Sequence, residues 1–127
     1  MKLIQQIFAA LYRIWFYLIV ALATILLFPF LVISILKNSW YPFFFKVART
    51  WSAFIIYGIG CYPVIKREVN YKKGKSYMFV ANHTSMTDIM LMFYATKNPF
   101  VFVGKKELAK IPLFGFIYKR TCILVDR

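Results

Sequence analysis

The chain has 127 residues, 61% of them hydrophobic, and its 17 Lys and Arg against 4 Asp and Glu give a formal net charge of +13. That length allows one small domain or a piece of one, and a mean hydropathy of +0.64 excludes an ordinary soluble globule. The charge calls for an anionic partner, and the long apolar runs favour phospholipid over nucleic acid.

The first element in the chain is apolar. From Ile14 to Leu36 only Thr24 and Ser34 are polar, and as a helix this stretch would extend roughly 34 Å, enough to cross a bilayer. Lys2 and Arg13 precede it as in a secretory signal, but the stretch is too long and lacks a small-x-small cleavage site. Pro29 removes a backbone donor and is expected to kink the helix. A second, aromatic-rich segment runs from Trp40 to Ile59, with Lys46, Arg49 and Ala53 on a stripe opposite Phe45, Trp51 and Phe54, an interfacial pattern. Lys2 and Arg13 before the first helix and Lys37, Lys46 and Arg49 after it leave no charge bias for a crossing direction, so a hairpin dipping into one leaflet fits best. Residues 1–62 thus read as a membrane anchor, ending near Gly60 to Pro63.

Residues 63–127 change to short alternating elements. Strands are expected at Val64 to Val69, Tyr77 to Ala81, Phe100 to Val103 and Cys122 to Val125, each rich in β-branched or aromatic residues. Helices are expected at Ser85 to Thr96, stopped by Asn98-Pro99, and at Lys106 to Tyr118, interrupted by Pro112 and Gly115. This alternation predicts an α/β fold with a mostly parallel sheet and crossover helices. Ligands of such sheets bind beyond the carboxyl ends of the strands. There Asn82 and His83 follow the second strand, Lys105 and Lys106 the third, and Arg127 the fourth, which places one base and several cations at one edge. Lys72, Lys73 and Lys75 cluster around Gly74, as a solvated loop or a headgroup contact. Cys61 and Cys122 lie far apart without metal-ligand spacing, so neither a disulfide framework nor a zinc site is expected, and the domain should face a reducing cytosol. With one histidine and no acid cluster, no protein metal site is expected.

The stretch Asn82-His83-Thr84-Ser85-Met86-Thr87-Asp88 holds that single histidine. A residue on the loop before a helix can meet an acid on the helix's first turn, because each helical residue advances only about 1.5 Å. A carboxylate on one ring nitrogen fixes the tautomer and favours the imidazolium formed when the other nitrogen takes a proton. His83 would then deprotonate a substrate hydroxyl attacking a carbonyl, with no covalent enzyme intermediate. The same spacing has a structural reading: Ser85-x-x-Asp88 matches a capping box, in which the acid serves the helix N-terminus.

Two blocks resemble the glycerophospholipid acyltransferase family, specifically 1-acylglycerol-3-phosphate acyltransferases. NHTSMTD matches that family's Asn-His, four residues, Asp pattern. FVGKKELAKIPLFGFIYKRTCILVDR, from Phe102 to Arg127, is similar to its Lys-Lys-Glu-Leu, Ile-Pro-x-x-Gly and hydrophobic-Asp-Arg block. The resemblance covers about half the chain strongly, and the N-terminal hairpin agrees in character only. It implies that His83 is the general base and Asp88 its orienting partner, that Lys105 and Arg127, with Lys106 beside them, hold the acceptor's phosphate, and that Asn82 and Ser85 support the motif. It also implies an acyl thioester donor, acyl-CoA or acyl-ACP, as co-substrate with no other cofactor, and a lysophospholipid acceptor at the cytoplasmic face of a membrane, such as a bacterial inner membrane. Gly115 to Arg127 is about one residue shorter than in several relatives, and the family's downstream Glu-Gly-Thr-Arg type block is not present, so a C-terminally truncated chain is expected. Two further readings stand beside this one: a non-catalytic basic monotopic lipid-binding module, and an acyltransferase for another hydroxyl acceptor such as a lyso-aminolipid.

Overall fold

The computed structural model describes residues 2–72, 75–82 and 84–126. Leu, Ile, Ala and Phe without a single glycine build a helix through the whole N-terminal run, α1 (Lys2–Ser34), about 50 Å long at 1.5 Å per residue. Pro29 lies inside it. Its two polar interruptions are satisfied locally: Thr24 Oγ1 donates to the Val20 carbonyl at 2.7 Å and Ser34 Oγ to the Leu31 carbonyl at 2.7 Å. By length and composition α1 is long and apolar enough to cross a membrane.

A 3₁₀ turn at Asn38–Trp40 reverses the chain into α2 (Tyr41–Gly58), with Pro42 in its first turn, where the lost N–H has no intrahelical partner. The two helices run antiparallel. Tyr12 donates to the Ile59 carbonyl at 3.2 Å, Trp15 Nε1 to the Gly58 carbonyl at 2.9 Å, and Trp51 Nε1 to Thr24 Oγ1 at 3.1 Å. The hairpin expected from the sequence is therefore present, and α2 also packs along α3 (Thr87–Ala95). Ile19 and Ala23 of α1, Ile55 and Ile56 of α2 and Met90 of α3 form one buried cluster. Leu31 and Ile35 join Phe44, Phe45, Val47, Ala48 and Phe93 in a second. The stripe expected on α2 needs one correction. Phe45 is buried, but Phe54 is exposed on the same side as Lys46, because eight residues bring the helix back to within about 80° of its starting face.

Phe100 and Phe102 extend the second cluster into the α/β half, where Tyr41 ties the two together by donating to the Phe100 carbonyl at 2.6 Å. Burial, with Cys122 nearby, pushes the Tyr41 phenol up to about 12, so it remains a donor at any working pH. Strand β1 (Phe102–Lys105) is followed by a 3₁₀ segment (Lys106–Lys110), α4 (Phe114–Thr121) and β2 (Cys122–Val125). β1 and β2 pair in parallel, Phe102 opposite Cys122 and Lys105 opposite Val125. This is the β-crossover-β unit of an α/β fold.

Two expected strands, Val64 to Val69 and Tyr77 to Ala81, join no ladder among the described residues. Tyr77 to Val80 keeps a strand's alternation, with Met78 and Val80 each 89% exposed while Phe79, at 36%, packs on Phe100 and Tyr71. β-propensity reports the fit of side chains to a half-buried surface, and a ladder also needs a partner backbone, which this segment lacks here. The other boundaries shift: β1 starts and ends two residues later than expected, so Lys105 closes the strand, and α3 starts at Thr87 where Ser85 was expected.

Candidate active site

The chemistry-bearing loop enters α3. Asp88, on the first turn of that helix, accepts the backbone N–H of Thr84 at 2.7 Å and of Ser85 at 2.7 Å, both on Oδ2. Charge-assisted bonds of this kind are about twice as strong as neutral ones, and the carboxylate also lies at the positive end of the helix dipole. Ser85 Oγ accepts the Thr87 N–H at 3.2 Å and its carbonyl accepts the Asp88 N–H at 3.1 Å. The carboxylate half of the capping box is thus formed. The hydroxyl half is displaced by one residue, because α3 begins at Thr87.

His83, the expected base, lies outside the described residues, as do Arg127 and two members of the basic turn, Lys73 and Gly74. What is described is the segment that follows His83 in sequence: Thr84 and Ser85 are held by two short hydrogen bonds to one carboxylate, and Asn82 before it is exposed. At its other end α3 is held by cations. Arg67 donates to the Ala95 carbonyl at 2.5 Å and Arg49 to the Tyr94 carbonyl at 3.5 Å, opposite in sign to the Asp88 end, as the dipole favours.

Lys105 and Lys106 lie at the carboxyl end of β1, as the parallel topology requires. Lys105 pairs with Glu107 at 3.7 Å, and Lys106 with Asp126 at 3.3 Å, which fastens the ends of the two strands together. All four side chains are exposed. Such pairs are worth about 0–1 kcal/mol, so a phosphate could exchange for either carboxylate at little cost. Among the described residues no group of three or more His, Cys, Asp or Glu is placed to hold a metal.

Sequence reasoning passed over two residues that shape this edge. Tyr118 of α4 lies across β1 at Gly104: a Cβ there would sit 2.7 Å from the phenol Cζ, so the ring can occupy that position only over glycine. Burial raises the Tyr118 phenol, with the neighbouring Cys122 acting in the same direction and the Lys105 backbone N–H opposing them. Leu113 has φ 62° and ψ −56°, and the Phe114 N–H bonds back to the Pro112 carbonyl at 2.6 Å. That is the positive-φ γ-turn, a strained form. It delivers the chain to Gly115, where a Cβ would fall 2.8 Å from the Ala109 carbonyl carbon. The Ile-Pro-x-x-Gly spacing thus encodes a tight return from the 3₁₀ segment into α4. The one local signal was Gly104 itself, just past the expected strand and inside the observed one, since a strand glycine marks a close approach; nothing in the sequence names Tyr118 as its partner.

No curated protein and no solved structure matches this chain. A family model described as Acyltransferase matches residues 63–127. That match spans just over half the sequence and includes both the Asp88 loop and the β1–α4–β2 unit, and the chain belongs to the acyltransferase family.

Proposed function

We propose that this chain's chemistry is transfer of a fatty acyl group from an acyl thioester, acyl-CoA or acyl-ACP, to the free hydroxyl of 1-acyl-glycerol-3-phosphate, giving phosphatidate. His83 takes the hydroxyl proton as the alkoxide oxygen attacks the thioester carbonyl. The tetrahedral intermediate collapses with cleavage of the C–S bond, and the leaving thiolate recovers the proton from the imidazolium. Lys105, Lys106 and Arg127 counter the charge of the acceptor's phosphate, Asn82 and Ser85 shape the loop, and the lipid substrates are met at a membrane, at its cytoplasmic face. The observation that carries this reading, beside family membership, is the fixing of Thr84 and Ser85 by Asp88, which restrains the backbone immediately after His83. Preorganised geometry of that kind is what general-base catalysis requires.

The test is turnover of acyl thioester and lysophosphatidate by wild type and His83→Ala. If His83 is the base, the variant loses on the order of a hundredfold or more. Unchanged turnover removes the assignment. Arg127→Ala is expected to raise KM for the acceptor more than for the donor, and equal effects would make that arginine structural. Preference for a lyso-aminolipid over lysophosphatidate would redirect the acceptor class while leaving the base in place.

The bonds from Thr84 and Ser85 to Asp88 also suit a second reading, a non-catalytic basic monotopic lipid-binding module whose His-Asp pair serves to cap a helix. Equal vesicle binding by wild type and His83→Ala, with acyl transfer by neither, would support it.

A further inference from the structure

At the edge of the sheet away from Lys105 and Lys106, an open cavity of about 260 Å³ lies between the α1–α2 turn and the start of β2. It is lined by Asn38, Tyr41, Val101, Arg120, Thr121 and Cys122. Both halves of the chain build it: Asn38 and Tyr41 belong to the hairpin, the remainder to the α/β half. In the strand register Cys122 is opposite Phe102, and Lys105 is three residues further on, roughly 10 Å away at about 3.3 Å per residue. The cavity is therefore separate from the edge that carries the proposed reaction.

Its chemistry is cationic and donor-rich. The Arg120 guanidinium rests on the Phe116 ring, 4.1 Å from the centroid, an arrangement that occupies the face of the ion and leaves its N–H edges outward. Among the described residues no acid lines the cavity. The Tyr41 hydroxyl is committed to the Phe100 carbonyl and Thr121 Oγ1 to the Ile117 carbonyl at 2.9 Å, so the donors facing the space are Arg120 and the Asn38 amide. The carboxyl end of α4 contributes about half a negative charge here, and Lys119 with Arg120 in its last turn outweighs it. Lys37, stacked on Trp40 at 5.4 Å, adjoins Asn38.

Position supplies the rest. The apolar run of α1 ends at exposed Leu36, and Lys37-Asn38 are the first polar residues after it. In a protein whose apolar helix meets lipid, such residues sit at headgroup level. We propose that this cavity binds a phosphoryl anion, the group presented by a phospholipid headgroup, through Arg120 and Asn38. Such a ligand bridges the hairpin and the α/β half at their joint.

Cys122 lines the cavity and exposed Cys61 does not, so alkylation provides an internal reporter and its control. The full chain in non-ionic detergent is treated with a maleimide, and labelling of each cysteine is followed by peptide mass. The additions are dihexanoyl phosphatidylglycerol below its micellar concentration, inorganic phosphate, or a neutral alkyl glucoside. Since only unoccupied protein reacts, lipid at about four times its dissociation constant should slow Cys122 roughly fivefold and leave Cys61 unchanged. The protection should vanish in Arg120→Gln and in Asn38→Asp, each checked for an unchanged unfolding curve. Protection by the phospholipid but not by phosphate identifies a lipid headgroup as the source, whereas protection by both identifies phosphate itself. No protection by either, equal protection by the glucoside, or protection undiminished in both variants overturns the proposal.

Discussion

Ile55 and Ile56 of α2 are completely buried between α1 and α3, whereas Val103 and Ile123, paired across β1 and β2, remain 63% and 56% exposed. The helical half is held by apolar burial spread over three helices. The α/β half depends on particular points: one carboxylate on two amides and one phenol over one glycine. Substitutions in the first region should be costly according to the volume they remove, and those in the second according to the geometry they disturb.

That contrast can be broken by experiment. The largest effect is expected for Ile55→Ala or Ile56→Ala, each losing about 2–5 kcal/mol in unfolding followed by circular dichroism in detergent. A loss below about 1 kcal/mol would mean that the hairpin is not a packed core. Gly104→Ala should cost about 1–3 kcal/mol through overlap with Tyr118, and Gly104→Ala with Tyr118→Phe should recover part of that loss. Independent, additive effects would separate the two residues. Ser52 inverts the rule for the helical half: its hydroxyl is fully buried and has no hydrogen-bond partner among the described residues, so Ser52→Ala should stabilise by about 1 kcal/mol. The smallest effect is in pH dependence. Burial raises the Cys122 thiol, only partly offset by Thr121, so the folded state favours the neutral form. Its contribution to stability is complete below the unfolded pKa and is lost as pH climbs through the raised folded value. The measurement is unfolding of wild type and Cys122→Ser between neutral and alkaline pH, where the two curves should differ only on the alkaline side.

What the sequence revealed follows the same division. Both helices of the hairpin, α3 and β2 were legible because each carries a long apolar period or a β-branched run bounded by Pro, Asn or charge. The Asp88 cap was legible too, since Ser85-x-x-Asp88 names its own partners, although periodicity could not decide between cap and orienter for a carboxylate that serves the backbone beside His83. That Tyr77 to Ala81 joins no ladder among the described residues was not legible, because composition describes one strand and a ladder requires two. Nor was the Leu113 turn: a leucine advertises no positive φ, and only the hydrogen bond from Phe114 to Pro112 reveals it. Tyr118 over Gly104 is a contact between elements, invisible to any local window.

The stacking of α1, α2 and α3 also sets a reach. Packed helices lie about 8–10 Å apart, so the axis of α3, with Asp88 on its first turn, is at most about 20 Å from that of α1. That separation is lateral, two helix spacings at most, so a molecule lying along the outer side of α1 would have to pass no more than the width of α2 to reach the turn that carries Asp88.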